Sequence, residues 1–124
     1  RFHAPVSGKI IDIKSIGGLY FFKSKYLYKH NIHCNNLFES KKQDPILGSL
    51  KHISMFHRRT VVYIKSKRYG VVALIPVGMG EVSSINITTK MNKFVKKGDE
   101  IGHFAYGGST IVVLFENNKL KNTF

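Results

Sequence analysis

Six short segments dense in β-branched and aromatic residues, with no sustained helical period between them, constrain this chain more than any other feature. They are Val6–Lys14 (VSGKIIDIK), Leu19–Tyr28 (LYFFKSKYLY), Thr60–Lys65 (TVVYIK), Tyr69–Val77 (YGVVALIPV), Val82–Thr88 (VSSINIT) and Thr110–Phe115 (TIVVLF). Branched Cβ atoms and flat rings suit a pleated, half-buried surface better than a helix. Turn residues separate the segments: Gly17-Gly18, Arg68-Tyr69-Gly70, Gly78-Met79-Gly80, Lys97-Gly98-Asp99 and Gly107-Gly108. Short strands at this spacing predict an all-β, barrel-sandwich-like domain. At most one short helix fits, within Asp44–His52. His30–Lys51 reads as a long connection, and the polar tail Asn117–Phe124 as a fraying end.

The 124 residues suffice for one domain, 1–124, with a modest core. No apolar run approaches the roughly 18 residues of a spanning helix. The single cysteine, Cys34, excludes an internal disulfide. Charge is lopsided: 20 Lys/Arg against 7 Asp/Glu give a net +13. Most of the excess lies before residue 76. Such a field favours an anionic partner, whether nucleic acid, an acidic membrane surface or an anionic substrate. The plain alternative is a solvated basic face. Leu19–Lys29 interleaves aromatics with lysines, which suits a strand with buried rings, a lipid interface or a nucleic-acid face.

Gly107-Gly108-Ser109-Thr110 places two glycines and two hydroxyls directly before an apolar strand. A tight turn explains this, but flexible glycines also permit a strained backbone. A Ser109 hydroxyl there can approach the carbonyl carbon of Gly108 and attack its own chain. The G-x-S-x-G of hydrolase elbows is absent. His3 is a candidate general base if something near it needs deprotonating. His30-x-x-His33-Cys34 supplies too few ligands for a closed zinc site, so no metal is expected. His52 and His103 read as surface or packing residues.

Taken together, these segments resemble the phosphatidylserine decarboxylase family. RFHAPVSGKI resembles its H-R-x-H-x-P-x-x-G segment. Met55–Arg59 is similar to F-x-N-E-R, with His57 in place of Asn and Arg58 in place of an acid. Tyr69–Gly78 resembles G-x-V-x-x-x-x-V-G-A, and Val82–Ile85 resembles V-G-S-I. Lys96–Phe115 (KKGDEIGHFAYGGSTIVVLF) is similar to K-G-D-E-x-G-x-F-x-x-G-G-S-T, the most specific block. Pro5–Lys9 and Lys90–Ile101 are also similar to biotinyl and lipoyl carrier domains. Thr89-Lys90-Met91 lies too close to the Val95–Gly98 turn for a carrier hairpin, so that pattern reflects a related fold.

The resemblance implies a self-processing lyase. Ser109 would cleave the Gly108–Ser109 bond and become a covalent pyruvoyl group. Gly107 and Thr110 would complete the cleavage loop, and His3 would be the base that deprotonates Ser109. A β chain would end at Gly108, and an α chain, 109–124, would stay with it. The pyruvoyl group would form a Schiff base with phosphatidylserine and release carbon dioxide, giving phosphatidylethanolamine. It supplies an electron sink that no ordinary side chain offers. The family's second histidine would fall immediately before Arg1, and the acid that orients the base further upstream. The chain therefore reads as the catalytic part of a longer, peripherally membrane-associated proenzyme. Its expected partners are phosphatidylserine, an anionic membrane surface and, as one option, a second copy. A soluble amino-acid substrate is the runner-up among enzymes, and a non-catalytic basic module that binds nucleic acid is the alternative of another class, ranked behind lipid.

Overall fold

The computed structural model describes residues 1–18, 57–78, 82, 84–117, 119 and 120. Eight strands form: β1 (Phe2–His3), β2 (Gly8–Ile16), β3 (Arg59–Ser66), β4 (Gly70–Val77), β5 (Ile85–Ile87), β6 (Phe94–Val95), β7 (Glu100–Phe104) and β8 (Thr110–Phe115). They make two antiparallel sheets, one of order β1-β7-β5 and one of order β6-β2-β3-β4-β8. The all-β expectation holds, and no helix occurs among the described residues. The segment Leu19–Tyr28, the His30–Lys51 connection, the Asp44–His52 helix, His52 and the His30/His33/Cys34 cluster lie outside those residues.

Alternation builds the larger sheet. Val62 and Ile64 of β3 face inward beside Val72 and Leu74 of β4, with register pairs Val62↔Leu74 and Ile64↔Val72. Ile10 of β2 joins them opposite Ile64, and the smaller sheet closes over this layer with Phe2, Ile101 and Phe104. The Phe2 and Phe104 rings pack at 5.3 Å. Full burial of each branched side chain contributes roughly 1.5–3 kcal/mol.

Two glycines are required by close approach. A Cβ on Gly8 would lie 2.5 Å from the Lys65 carbonyl oxygen. One on Gly102 would meet the Asn86 carbonyl and lie 2.7 Å from the Phe2 ring. Bulges and gaps shape the rest. Between Ile10 and Asp12 the register of β2 slips by one residue, and the Asp12 carboxylate accepts the Ile13 N–H at 2.8 Å. Pro76 has no N–H to give, and no β3–β4 pair forms opposite it.

Candidate active site

Ser109 stands at the mouth of β8. That strand pairs with β4 in unbroken register from Val77↔Thr110 to Val72↔Phe115, so the sheet fixes where the serine begins. The Ser109 Oγ donates to the Val77 carbonyl at 2.6 Å. On its other side the same peptide unit, through the Gly78 N–H, donates to the Arg58 carbonyl at 2.8 Å. One peptide thus links β3, β4 and the serine, and hydrogen bonds in such a chain polarise one another. A serine hydroxyl has one proton and two lone pairs, so the bond to Val77 leaves the lone pairs available for attack. A carbonyl oxygen is no base, and the proton needs another acceptor.

The loop before Ser109 is conformationally unusual. Ala105 is tied to Ser84 by an N–H···O bond of 3.0 Å. Tyr106 then takes φ 66° and Gly107 φ 115°. For tyrosine this left-handed backbone costs about 1–2 kcal/mol. Gly108 is exposed, with open space where a Cβ would be, so its carbonyl carbon is not walled off by packing. Ser109 is half-buried and Thr110 exposed. The cleavage-loop residues named from the sequence are thus contiguous in space as well as in the chain.

His3 belongs to the smaller sheet. It is exposed on β1, opposite Glu100 at the start of β7. The four steps from Glu100 to Phe104 span roughly 13 Å of strand before the loop begins. No hydrogen bond joins His3 to Ser109 among the described residues. Glu100 itself is engaged by Arg1, whose hydrogen bond is the main reason its carboxyl sits below the usual range.

The histidine nearest the Ser109 end of the larger sheet is His57, which the sequence showed only as a departure from a motif. It immediately precedes Arg58, whose carbonyl holds Gly78. Its side chain is buried, and neither ring nitrogen has a hydrogen-bond partner. Burial pushes its pKa below the usual histidine value. The Gly78 backbone opposes this weakly, without reaching hydrogen-bond geometry. No sequence signal marks that burial. Nor does one mark His103, whose Nδ1 is also buried without a partner. No cluster of three His, Cys, Asp or Glu occurs among the described residues.

A second feature lies at the other end of the strands. Lys65, Lys67, Arg68 and Lys97 surround an open groove of about 670 Å³ that includes Tyr69 and Phe94. The Arg68 guanidinium lies 5.2 Å from the Tyr69 ring centre. Along β4 this groove is separated from Val77 by roughly 23 Å of strand.

Ser109 thus follows two glycines and opens directly onto β8, which pairs with β4. The family profile of phosphatidylserine decarboxylase matches residues 1–124. The chain is 35% identical over 121 residues to phosphatidylserine decarboxylase proenzyme 2 of Komagataella phaffii, covering 98% of this chain and 10% of that protein. It is 35% identical over 122 residues to the phosphatidylserine decarboxylase proenzyme of Fusobacterium nucleatum, covering 97% and 34%. It is also 32% identical over 124 residues to an L-tryptophan decarboxylase of Psilocybe cyanescens, covering 98% and 27%. The matched relatives are carboxy-lyases by name. This chain belongs to the phosphatidylserine decarboxylase family, and it spans about a third or less of the length of these relatives.

Proposed function

We propose that this chain is the catalytic domain of a pyruvoyl-dependent decarboxylase acting on phosphatidylserine. The observation that carries the reading is Ser109, held by Val77 at the mouth of β8 behind two glycines, within a chain that matches the family over its whole length. Ser109 Oγ attacks the Gly108 carbonyl carbon, and the C–N bond breaks to leave an ester and a free amine at residue 109. Elimination then breaks the Oγ–Cβ bond of Ser109, which leaves Gly108 as a carboxylate and residue 109 as dehydroalanine. Addition of water and loss of ammonia leave the ketone.

The residues present fit that group: Gly108 offers an unhindered carbonyl, and strand pairing to β4 holds residue 110 after the bond is cut. Once formed, the ketone supplies an electron sink for decarboxylation. His3 remains our proposed base for the serine proton. A residue preceding Arg1 would continue β1 alongside β7 toward Phe104, the side nearer the loop.

Phosphatidylserine and an anionic membrane surface are the partners we assign, with peripheral association. No helix among the described residues is long and apolar enough to cross a membrane. A free aromatic amino acid is the second reading, favoured by the match to L-tryptophan decarboxylases.

Intact mass of the full gene product tests the proposal. The wild type splits after Gly108, and its C-terminal piece is about 17 Da lighter than a serine-started peptide, the loss of ammonia. Ser109→Ala stays whole. An unsplit wild type overturns the reading. Carbon dioxide release from vesicle-borne phosphatidylserine, compared with free tryptophan, then decides the substrate.

A further inference from the structure

Among the described residues, His57 is the only titratable side chain that is buried. It is 2% exposed, and neither Nδ1 nor Nε2 has a hydrogen-bond partner. A neutral imidazole carries one N–H donor and one acceptor nitrogen. Both lose water on burial, and here neither regains a partner in exchange. An apolar side chain of similar size would escape that penalty, so packing alone does not account for a histidine at this position. His103 also has an unmatched Nδ1, but it is only half-buried and belongs to the smaller sheet.

The backbone around the ring leads to Ser109. The Arg59 guanidinium donates to the His57 carbonyl at 3.4 Å. The Arg58 carbonyl accepts the Gly78 N–H at 2.8 Å, and Arg59 stands opposite Val77 in the β3–β4 register. The Val77 carbonyl in turn accepts the Ser109 Oγ at 2.6 Å. Residues 57–59 thus clamp the Val77–Gly78 peptide, and that peptide holds the serine. Burial lowers the His57 pKa and the Gly78 backbone opposes it, which sets the ring against that backbone without a formed hydrogen bond. Gly78 is itself buried, and as glycine it restrains its own backbone least. A polar ring beside it limits that freedom, whereas an apolar side chain fills the same space and sets no such limit.

We propose that His57 is a positioning residue for Ser109: its buried ring fixes Gly78 and so the Val77 carbonyl that orients the serine hydroxyl for attack on Gly108. This deepens the self-cleavage reading and rests on it. The serine proton stays assigned to His3. Orientation matters here because attack within a backbone succeeds only when the reacting atoms are held about 3–3.5 Å apart and aligned.

The test sets cleavage rate against stability. The full gene product is synthesised in vitro and sampled over time, and intact mass gives the rate of the split after Gly108. Thermal melts of the same variants are read on Ser109→Ala chains, which stay whole. His57→Leu removes both unmatched nitrogens and melts at or above the parent, yet it splits about tenfold more slowly. His57→Asn keeps a short N–H donor in a smaller side chain. It melts lower, yet it splits within about threefold of wild type. This crossed order separates positioning from structure, because a purely structural histidine would make the less stable chain the slower one. His57→Met is a second apolar variant with the same expectation as leucine, and its flexible chain adapts to the space. Apolar variants that split at the wild-type rate overturn the proposal, as does an asparagine variant slowed as much as they are. A wild type that stays whole overturns the self-cleavage reading instead, and this role falls with it.

Discussion

The two ends of the larger sheet are built on opposite terms. At the Ser109 end, beside Arg58 and Arg59, backbone geometry is unusual: two consecutive positive φ values, an exposed tyrosine, and a buried histidine whose ring has no hydrogen-bond partner. At the groove end, charge is dense and the backbone is tightly tied. Ala4 bonds to both Gly98 and Asp99, with Gly98 N–H to Ala4 O at 2.9 Å and Ala4 N–H to Asp99 O at 2.8 Å. Ser7 Oγ accepts the Lys97 N–H at 2.8 Å. Charge in a cleft steers an anion toward the molecule, whereas a strained loop beside an open carbonyl stores reactivity at one bond. On the proposed site at Ser109, the contrast separates the reacting bond from the basic groove.

The largest expected effect separates the ends outright. Ser109→Ala eliminates the proposed split, read by intact mass, while Lys65→Glu, Lys67→Glu and Lys97→Glu combined at the groove leave it complete. Loss of splitting in the lysine variant would break the comparison. Next in size is Gly8→Val at the groove end, where the added atoms collide with the Lys65 backbone. It destabilises by about 3 kcal/mol, read from denaturant melts. Gly107→Ala costs less, about 1–2 kcal/mol, because its penalty is backbone strain alone and its nearest neighbour, Val82, is 3.8 Å away. A reversed order of these two glycine variants would show the loop to be packed rather than merely strained.

The smallest effect is a slope. The folded pKa of His57 is lowered, so as pH falls the unfolded chain takes up the proton first. The stability that comes from the neutral, buried ring is complete above the usual value of 6.5. It is lost progressively below that value, until the folded ring also protonates. Thermal melts across that range fall with acid in the wild type and flatten in His57→Asn.

Much of the fold was legible because long apolar strands carry their own period. Thr110–Phe115 forms as read, and Thr60–Lys65 and Tyr69–Val77 differ from β3 and β4 by a residue at an end. Val6–Lys14 overlaps β2 but stops short of Ile16, because the bulge at Ile11 breaks the alternation that would extend it. Val82–Thr88 contracts to three residues of β5. β1, β6 and β7 were not seen as strands. Two residues carry no period, and Glu-Ile-Gly-His-Phe lacks the branched run that signals a strand. Ser109 was legible from its neighbours in sequence. That His3 and Ser109 fall at different sheets was not, because that depends on which sheet each strand joins. The burial of His57 was equally hidden, since it depends on tertiary packing just before β3 and not on any local pattern.

The pairing of β8 with β4 bears on how the protein would come apart. With the 108–109 bond intact, β8 is tethered to its partner strand, and unfolding does not depend on how much protein is present. Cut there, the same six residues become a docked ligand held by ladder bonds and by the Val113 and Phe115 side chains packed against the core. Unfolding then obeys mass action, and its midpoint rises with protein concentration. The dilution at which the two pieces part is set by a strand that, among the described residues, pairs with β4 alone.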